Sequence, residues 1–325
     1  MRRNVLICVV GLAAIAAPGQ SPALPEARLT VRVIDELSNP VERATVRIGF
    51  AGKSSGQQLM KTGTTDTAGE YSSEGYSQIR LSADVRKDGF YLSGSPFVIF
   101  TNTEAGHWLP WNPTVTIILR PIGKATAMYA KRVDQHIPAL DRPCGYDLEA
   151  GDWVAPYGKG MKKDFIFSIH QDWRAISDYD VQGELTFGNQ LDGLQETSIP
   201  DIGKNSAFKW ERQAPESGYE SKQELRNAWF PDGSGKQPVR SFKSQDVWQG
   251  FFTRVRTVEQ DGKIVSAHYG KIRGGIAVYP DEKSGKPKIA FTYYFNPTPN
   301  DRNLEWDTQK NLFGNLPFME APREP

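Results

Sequence analysis

The stretch Pro297–Asp307, with the sequence PTPNDRNLEWD, places three acidic residues, two asparagines and one arginine in eleven positions. Counting from Asp301, oxygen-bearing side chains recur at alternate positions, as they do in a calcium-binding loop. That loop also requires glycine at its sixth position and glutamate at its twelfth, where this chain has Trp306 and Leu312. The stretch therefore favours a turn whose Asn and Asp side chains bind backbone N–H groups, while an irregular calcium site stays open.

Three side chains of this stretch, Asp301, Arg302 and Glu305, are candidate ligand-binding residues. In the turn interpretation, Arg302 pairs with a neighbouring acid. In a second interpretation, Asp301 and Glu305 contribute to the carboxylate pair of a glycosidase-like hydrolase, which needs two carboxyl groups flanking the bond to be cleaved. That interpretation requires an open pocket around them.

Other catalytic and cofactor motifs are missing. The four histidines form no pair with zinc-ligand spacing, and no nucleophile elbow or dinucleotide-binding glycine pattern occurs. The segments GSGKQ and KSGKPK hint at a phosphate-binding loop, but Gln237 and Pro287 follow their Gly-Lys pairs, so neither segment offers the hydroxyl that such a loop uses for magnesium. We therefore predict no catalytic residue, no metal and no cofactor, although a site assembled from distant residues stays open.

Aromatic residues form 11% of the chain and include eight tryptophans. Trp108 and Trp111 lie in a proline-containing loop, where exposed indoles could stack on a sugar ring or a peptide. The alternative is that they cover the end of a sandwich. The other tryptophans are scattered along the chain and are interpreted as core or edge residues.

The bulk composition is that of a globular protein, with 38% apolar and 24% charged residues among 325. The net charge of +1, with basic and acidic residues interleaved, predicts no nucleic-acid partner. This length suggests two domains, and 30 glycines with 22 prolines favour many short strands.

Residues 1–23 have the pattern of a cleaved export signal. A basic start precedes an apolar run over residues 5–17, and small residues offer cleavage after Ala16 or Ala23. An uncleaved anchor is the alternative. No later stretch is apolar enough to span a membrane, so we expect an exported protein, periplasmic or extracellular. Cleavage would leave Cys144 as the only cysteine, and we expect it to be a partly buried, unreactive thiol.

Period-two alternation of apolar and polar residues recurs through the chain and predicts an all-β fold. Short strands at regular spacing predict a first sandwich over residues 28–122, and a strand-rich second domain follows over residues 123–325. The clearest signal is Phe251–Ile272, where two alternating segments flank Asp261-Gly262, a hairpin dipeptide. One short helix is predicted over Glu220–Phe230.

Two resemblances add to this interpretation. Val33–Val46, Thr65–Tyr71 and Val85–Tyr91 resemble the carboxypeptidase regulatory-like, or transthyretin-like (prealbumin-like), sandwich, with Asn39 where that family typically has glycine. The resemblance implies a transthyretin-like β-sandwich that serves as a non-catalytic accessory module. The whole chain, chiefly Phe252–Ile272 and Asn296–Phe313, resembles uncharacterised exported bacterial proteins that carry this sandwich, which implies no reaction.

The sequence thus predicts a non-catalytic, exported binding protein of the bacterial cell envelope. Its partner could be a glycan, a peptide or an envelope protein. Two alternatives stay open: a secreted hydrolase with paired carboxylates in the second domain, and a structural envelope protein.

Overall fold

The computed structural model describes residues 24–52, 57–241 and 249–325. The predicted signal segment, residues 1–23, lies outside them. In the described part the chain is built almost entirely of strands, with one three-residue 3-10 helix at Asp201–Gly203. The prediction of an all-β fold made of sandwiches is therefore confirmed. None of the described residues forms a helix long or apolar enough to cross a membrane.

The first eleven strands form what we call the N-terminal sandwich. They are β1 (Glu26–Asp35), β2 (Thr45–Ala51), β3 (Gln58–Thr64), β4 (Glu70–Tyr76), β5 (Arg80–Leu81), β6 (Ala83–Arg86), β7 (Ser93–Gly94), β8 (Val98–Ile99), β9 (Asn102–Glu104), β10 (His107–Leu109) and β11 (Thr114–Leu119).

Strand β1 is the centre of one sheet of this sandwich. It pairs antiparallel with β4 and parallel with β11, with Thr30 opposite Thr114 and Asp35 opposite Leu119. A second sheet has the order β3-β2-β6-β7. Alternate residues of both sheets, such as Val31 and Val46, face each other in one buried core. This is the period-two alternation that the sequence shows.

The remaining strands form the C-terminal sandwich. They are β12 (Thr126–His136), β13 (Cys144–Asp147), β14 (Asp152–Trp153), β15 (Phe165–Ala175), β16 (Asp178–Phe187), β17 (Gly193–Ser198), β18 (Lys222–Trp229), β19 (Val239–Arg240), β20 (Gln249–Gln260), β21 (Lys263–Tyr279), β22 (Lys288–Asn296) and β23 (Trp306–Asn311).

Two six-stranded sheets make up this sandwich. One has the order β17-β20-β21-β22-β12-β23 and the other β14-β13-β15-β16-β18-β19. Aromatic and aliphatic side chains of both, including Phe167, Leu185 and Phe291, form the larger core of the molecule. The hairpin predicted at Asp261-Gly262 is confirmed, since β20 and β21 pair antiparallel through that turn.

The helix predicted over Glu220–Phe230 is wrong, because most of this segment is strand β18. The residues include good helix formers, but β18 pairs with β16 on one side and β19 on the other. Leu225 and Asn227 point into the core at a spacing of two, and tertiary pairing overrides the local helix preference.

The two sandwiches contact each other directly. Tyr91 of the N-terminal sandwich packs with Phe208 and Trp210, which precede β18. The Arg120 guanidinium donates to the backbone oxygens of Phe208 and Trp210, at 2.9 Å each. The predicted domain boundary at residues 122 and 123 stays a prediction.

Candidate ligand-binding groove

Trp108, one of the predicted ligand-binding residues, is packed against the N-terminal sandwich. Its indole Nε1 donates to the Ser77 backbone oxygen at 2.8 Å, and its ring stacks on Phe100 with centroids 5.7 Å apart. Trp111 keeps 39% of its surface exposed and contacts the His107 ring edge-on at 4.6 Å. Of these two tryptophans, only Trp111 therefore presents much indole surface to solvent.

The stretch Pro297–Asp307 uses its side chains as a turn would. Asp301 Oδ1 accepts the Asn303 backbone N–H at 3.0 Å. The Arg302 guanidinium donates to the Ala214 backbone oxygen and pairs with Glu216 at 3.1 Å. Thr298 N–H binds the Asn296 side chain in the same loop. A ligand-binding role for Asp301 and Arg302 stays a prediction.

Glu305 is 1% exposed and lies between the two sandwiches. Its Oε1 accepts hydrogen bonds from the Tyr91 hydroxyl at 2.8 Å, the Gly123 N–H at 2.7 Å and Arg212 Nη1 at 2.9 Å. Arg212 also pairs with Glu36 of the N-terminal sandwich at 3.1 Å. This carboxylate is engaged in structural contacts, and its role as a ligand-binding residue stays a prediction.

A different surface brings polar side chains together around open space. Strands β15, β16 and β18 form the floor of a groove of about 710 Å³, which we call the sheet groove. It lies on the sheet face opposite the core. None of the five predicted ligand-binding residues lines it.

Strand register places the polar side chains of the sheet groove in two rows. Ser168 lies opposite Glu184, which lies opposite Glu224. In the second row His170 lies opposite Gln182, which lies opposite Arg226. Rows two residues apart on three adjacent strands cover about 7 Å along the strands and about 10 Å across them.

Three of these six side chains are held by ion pairs. Arg226 binds Asp180 through two nitrogens at 3.1 and 2.7 Å, and Lys222 reaches Glu184 at 2.6 Å.

The third held side chain is His170, which binds two carboxylates. Its Nδ1 lies 2.8 Å from Asp141 and its Nε2 lies 3.3 Å from Asp172. The hydrogen bond to Asp141, aided by Asp172, raises the pKa of His170 above its usual 6.5, so these contacts favour the imidazolium.

The other three side chains are free to bind a ligand. Ser168, Gln182 and Glu224 make no side-chain hydrogen bond or ion pair within the part of the chain that the structure describes. They supply a hydroxyl, an amide and a carboxylate, which together donate and accept hydrogen bonds. The sheet groove thus combines three ion-paired side chains with three polar groups that have no partner among the described residues.

An aromatic row crosses the same three strands at one end. Trp173 lies opposite Tyr179, which lies opposite Trp229. Trp173 and Tyr179 stack with centroids 5.7 Å apart, and Trp229 is 46% exposed. The row lies on the core-facing side of the sheet, at the end of the sandwich, and Trp229 extends the aromatic surface into solvent.

Sequence reasoning missed both the sheet groove and the aromatic row. The alternating pattern of Asp164–Trp173 and Asp180–Asn189 predicts two strands, and the structure pairs them as β15 and β16. The third strand, β18, follows more than thirty residues later and resembles a helix. Only the pairing of β16 with β18 brings Glu224 and Trp229 into register with the other residues.

Among residues 24–52, 57–241 and 249–325, the structure shows neither a metal-binding site nor a reactive cysteine. No group of three or more His, Cys, Asp or Glu side chains there is arranged to hold a metal ion. Cys144 is fully buried, and burial raises the pKa of its thiol. The reactive thiolate form is therefore disfavoured.

No family model matches this chain, and no curated protein is similar to it. The carboxypeptidase regulatory-like resemblance of the N-terminal sandwich therefore stays a prediction. Among solved structures, a "putative carbohydrate binding protein" from Bacteroides uniformis ATCC 8492 is similar over 85% of this chain and 99% of its own. The identity is 10% and the TM-score is 0.20. At that score the likeness carries no argument about the fold or the ligand.

Proposed function

We propose that this chain is a non-catalytic binding protein of the bacterial cell envelope that holds a glycan in the sheet groove. The observation that carries the proposal is the set of three unused polar groups, Ser168, Gln182 and Glu224, inside a frame of ion-paired side chains. Sugar hydroxyls both donate and accept hydrogen bonds, as do these three groups taken together.

The position of the groove supports a glycan over a peptide. A peptide bound as an added strand needs a free sheet edge and pockets for its side chains. The groove instead lies on the face of three paired strands.

The location and the role of the N-terminal sandwich belong to the same proposal. The export pattern of residues 1–23 supports a periplasmic or extracellular protein. The resemblance of Val33–Val46 and Thr65–Tyr71 to the carboxypeptidase regulatory-like sandwich supports an accessory role for the first half of the chain.

A glycan array followed by calorimetry on the best ligand tests the proposal. Gln182→Ala and Glu224→Ala each remove one unused polar group without breaking a contact, so each variant is expected to fold normally. We expect at least tenfold weaker binding in each, which corresponds to the loss of about 1.4 kcal/mol of binding free energy.

Gln309→Ala is the matched control, because Gln309 is an exposed residue of β23 in the other sheet. Its affinity should equal that of the unmodified protein. A glycan that binds the unmodified protein and both groove variants equally would refute this site. If no glycan on the array binds, the proposal of glycan binding is refuted.

The register also favours a second candidate, a glycosidase. Glu184 and Glu224 lie directly opposite on neighbouring strands, a pairing that brings their Cβ atoms within about 5.5 Å. Glycosidases use two carboxylates flanking the scissile bond. Incubating the protein with the glycans that bind on the array distinguishes a glycosidase from a non-catalytic binding protein. Glu224→Gln is the inactive control. Turnover lost in that variant would establish the hydrolase.

A further inference from the structure

A second open space lies on the opposite side of the C-terminal sandwich. Residues Phe318–Glu324 cross the outer face of β12, β22 and β21 and leave a cleft of about 750 Å³, which we call the C-terminal cleft. Its volume lies within the range of small-molecule sites. It shares no lining residue with the sheet groove.

The segment over this cleft is anchored at both ends. The Arg132 N–H donates to the Glu320 backbone oxygen at 2.8 Å, and the Glu320 carboxylate pairs with Lys131 at 3.1 Å. At the other end, the Tyr294 hydroxyl donates to the Glu324 backbone oxygen at 2.9 Å. The cleft is therefore a defined space between a sheet and a fixed segment.

Four cationic side chains line the C-terminal cleft: Arg132, Arg273, Lys288 and Arg323. Three carboxylates, Asp134, Glu320 and Glu324, also line it.

Two of the three carboxylates, Glu320 and Glu324, are engaged in close ion pairs. Glu324 pairs with Arg273 at 2.7 Å and with Lys209 at 3.0 Å. Glu320 is held by Lys131, which is not a lining residue. Asp134 lies 4.0 Å from Lys288.

Two guanidinium groups of the cleft have no carboxylate partner among the described residues. The Arg132 side chain makes no hydrogen bond or ion pair with any residue that the structure describes. The Arg323 guanidinium lies 3.8 Å from the Phe318 ring centroid and pairs with no acid in the same described ranges. Guanidinium groups suit carboxylate and phosphate oxygens, because their N–H donors form a planar fork.

Apolar surface lies beside these two cations. Tyr294 and Ala290 line the cleft, and Phe318 and Met319 at its edge are 71% and 66% exposed. A ligand with an acidic group and a less polar ring would contact both kinds of surface.

We propose that the C-terminal cleft binds a small organic anion, with Arg132 and Arg323 contacting its oxyanion. The ligand class is a ring that carries one negatively charged oxygen group. That group is either a carboxylate, as in a uronic acid, or a phosphate, as in a sugar phosphate. The proposal does not depend on the sheet groove.

Titration of the full chain with three ligands that share a sugar ring tests this proposal. Glucuronate carries a carboxylate, glucose 6-phosphate carries a phosphate, and glucose carries neither. We expect one or both anions to bind and glucose to bind at least tenfold more weakly. The stronger anion identifies the acidic group. A rise from 50 to 500 mM NaCl should weaken anion binding.

Arg132→Gln should reduce anion affinity at least tenfold, and Arg132→Lys should restore part of it, because the charge returns without the planar fork. Both variants should fold normally, since the Arg132 side chain is exposed and unpaired. Arg86→Gln is the matched control, because Arg86 is an exposed arginine of the N-terminal sandwich, 3.9 Å from Asp84.

Three results would overturn the proposal. One is glucose binding as tightly as the anions, and another is neither anion binding at 10 mM. The third is anion affinity that stays unchanged in Arg132→Gln. If the sheet-groove variant Gln182→Ala loses glycan binding but keeps anion binding, the two sites are independent.

Discussion

Lys271 is the most unusual ionisable residue of the described chain. Its side chain is fully buried, and Nζ has no hydrogen-bond partner within the described residues. Burial, aided by the nearby Arg273 charge, lowers the pKa of Lys271 well below 10.5. The Phe208 and Tyr294 rings, 5.0 and 4.8 Å away, favour the charged form. Ring attraction in a desolvated site contributes about 2 kcal/mol or somewhat more, which is less than the cost of burying an unpaired charge.

We predict that Lys271→Met stabilises the protein at pH 7. Because the native state binds a proton at Lys271 less tightly than the unfolded chain does, stability rises with pH up to the unfolded pKa. Removing the amine should increase the free energy of unfolding by about 1–3 kcal/mol. Urea unfolding at pH 7 and pH 9.5 measures the gain, which should shrink at the higher pH. Lys263→Met, at an exposed position of the same strand, should change the free energy of unfolding little. A lower free energy of unfolding in Lys271→Met would contradict the prediction.

We predict that the pKa of His170 exceeds 6.5, because Asp141 and Asp172 favour its protonated form. With a raised native pKa, the stabilising contribution is complete below pH 6.5 and disappears as pH rises through the native value. His170→Gln should therefore lower the melting temperature at pH 5.5 and leave it unchanged at pH 9. An NMR titration of the imidazole measures the pKa directly. Asp141→Asn should lower it, and an unchanged value would show that Asp141 is not the cause.

At the scale of single elements, the β20–β21 hairpin depends on its turn. Gly262 has a φ of +74°, and a Cβ placed there would meet no atom within 4 Å. The cost of Gly262→Ala is therefore conformational, about 1 kcal/mol. The urea concentration at the unfolding midpoint should therefore be lower for Gly262→Ala than for the unmodified protein. Gly262→Asn should lose less stability, since asparagine tolerates this conformation. Equal losses of stability in Gly262→Ala and Gly262→Asn would point to a steric cause.

The strands themselves could be predicted, because period-two alternation reflects which face of a sheet is buried. The hairpin at Asp261-Gly262 followed from the same pattern and from its turn residues. Segment Glu220–Phe230 could not be predicted correctly, since its charged residues and leucine suit a helix as well as an edge of the core. Pairing with β16, which is distant in sequence, makes this segment a strand.

The candidate site was harder to predict than the fold. Asp301, Arg302 and Glu305 stand out because they are close in sequence, yet their side chains bind backbone groups and a neighbouring sandwich. The sheet groove depends on register between strands that are distant in sequence. Glu224 and Ser168 have no sequence motif in common, and only pairing through β16 relates them.

At the scale of the whole molecule, Glu305 couples the two sandwiches. It binds Tyr91 of the first, Gly123 between them and Arg212 of the second. Glu305→Gln should cost about 1–3 kcal/mol of stability, because Arg212 loses one charged partner but keeps Glu36. Calorimetry should show the unfolding transitions of the two halves moving apart.

Glu74→Gln is the matched control for that variant, since Glu74 is an exposed carboxylate 3.9 Å from Arg28. Exposed pairs contribute little, so its melting profile should match the unmodified protein. A Glu305→Gln profile that also matches would mean that the buried carboxylate does not couple the halves.

The parallel pairing of β1 with β11 has a consequence for synthesis. The first strand emerges from the ribosome about eighty residues before its neighbour exists, because Thr30 pairs with Thr114. Once β4 has formed, it covers one side of β1, but the other side stays an open hydrogen-bonding edge until β10 and β11 emerge. Such an edge is a template for aggregation. Nascent chains halted before β11 has left the ribosomal exit tunnel should therefore need a chaperone to stay unaggregated, whereas those halted after it has emerged should not.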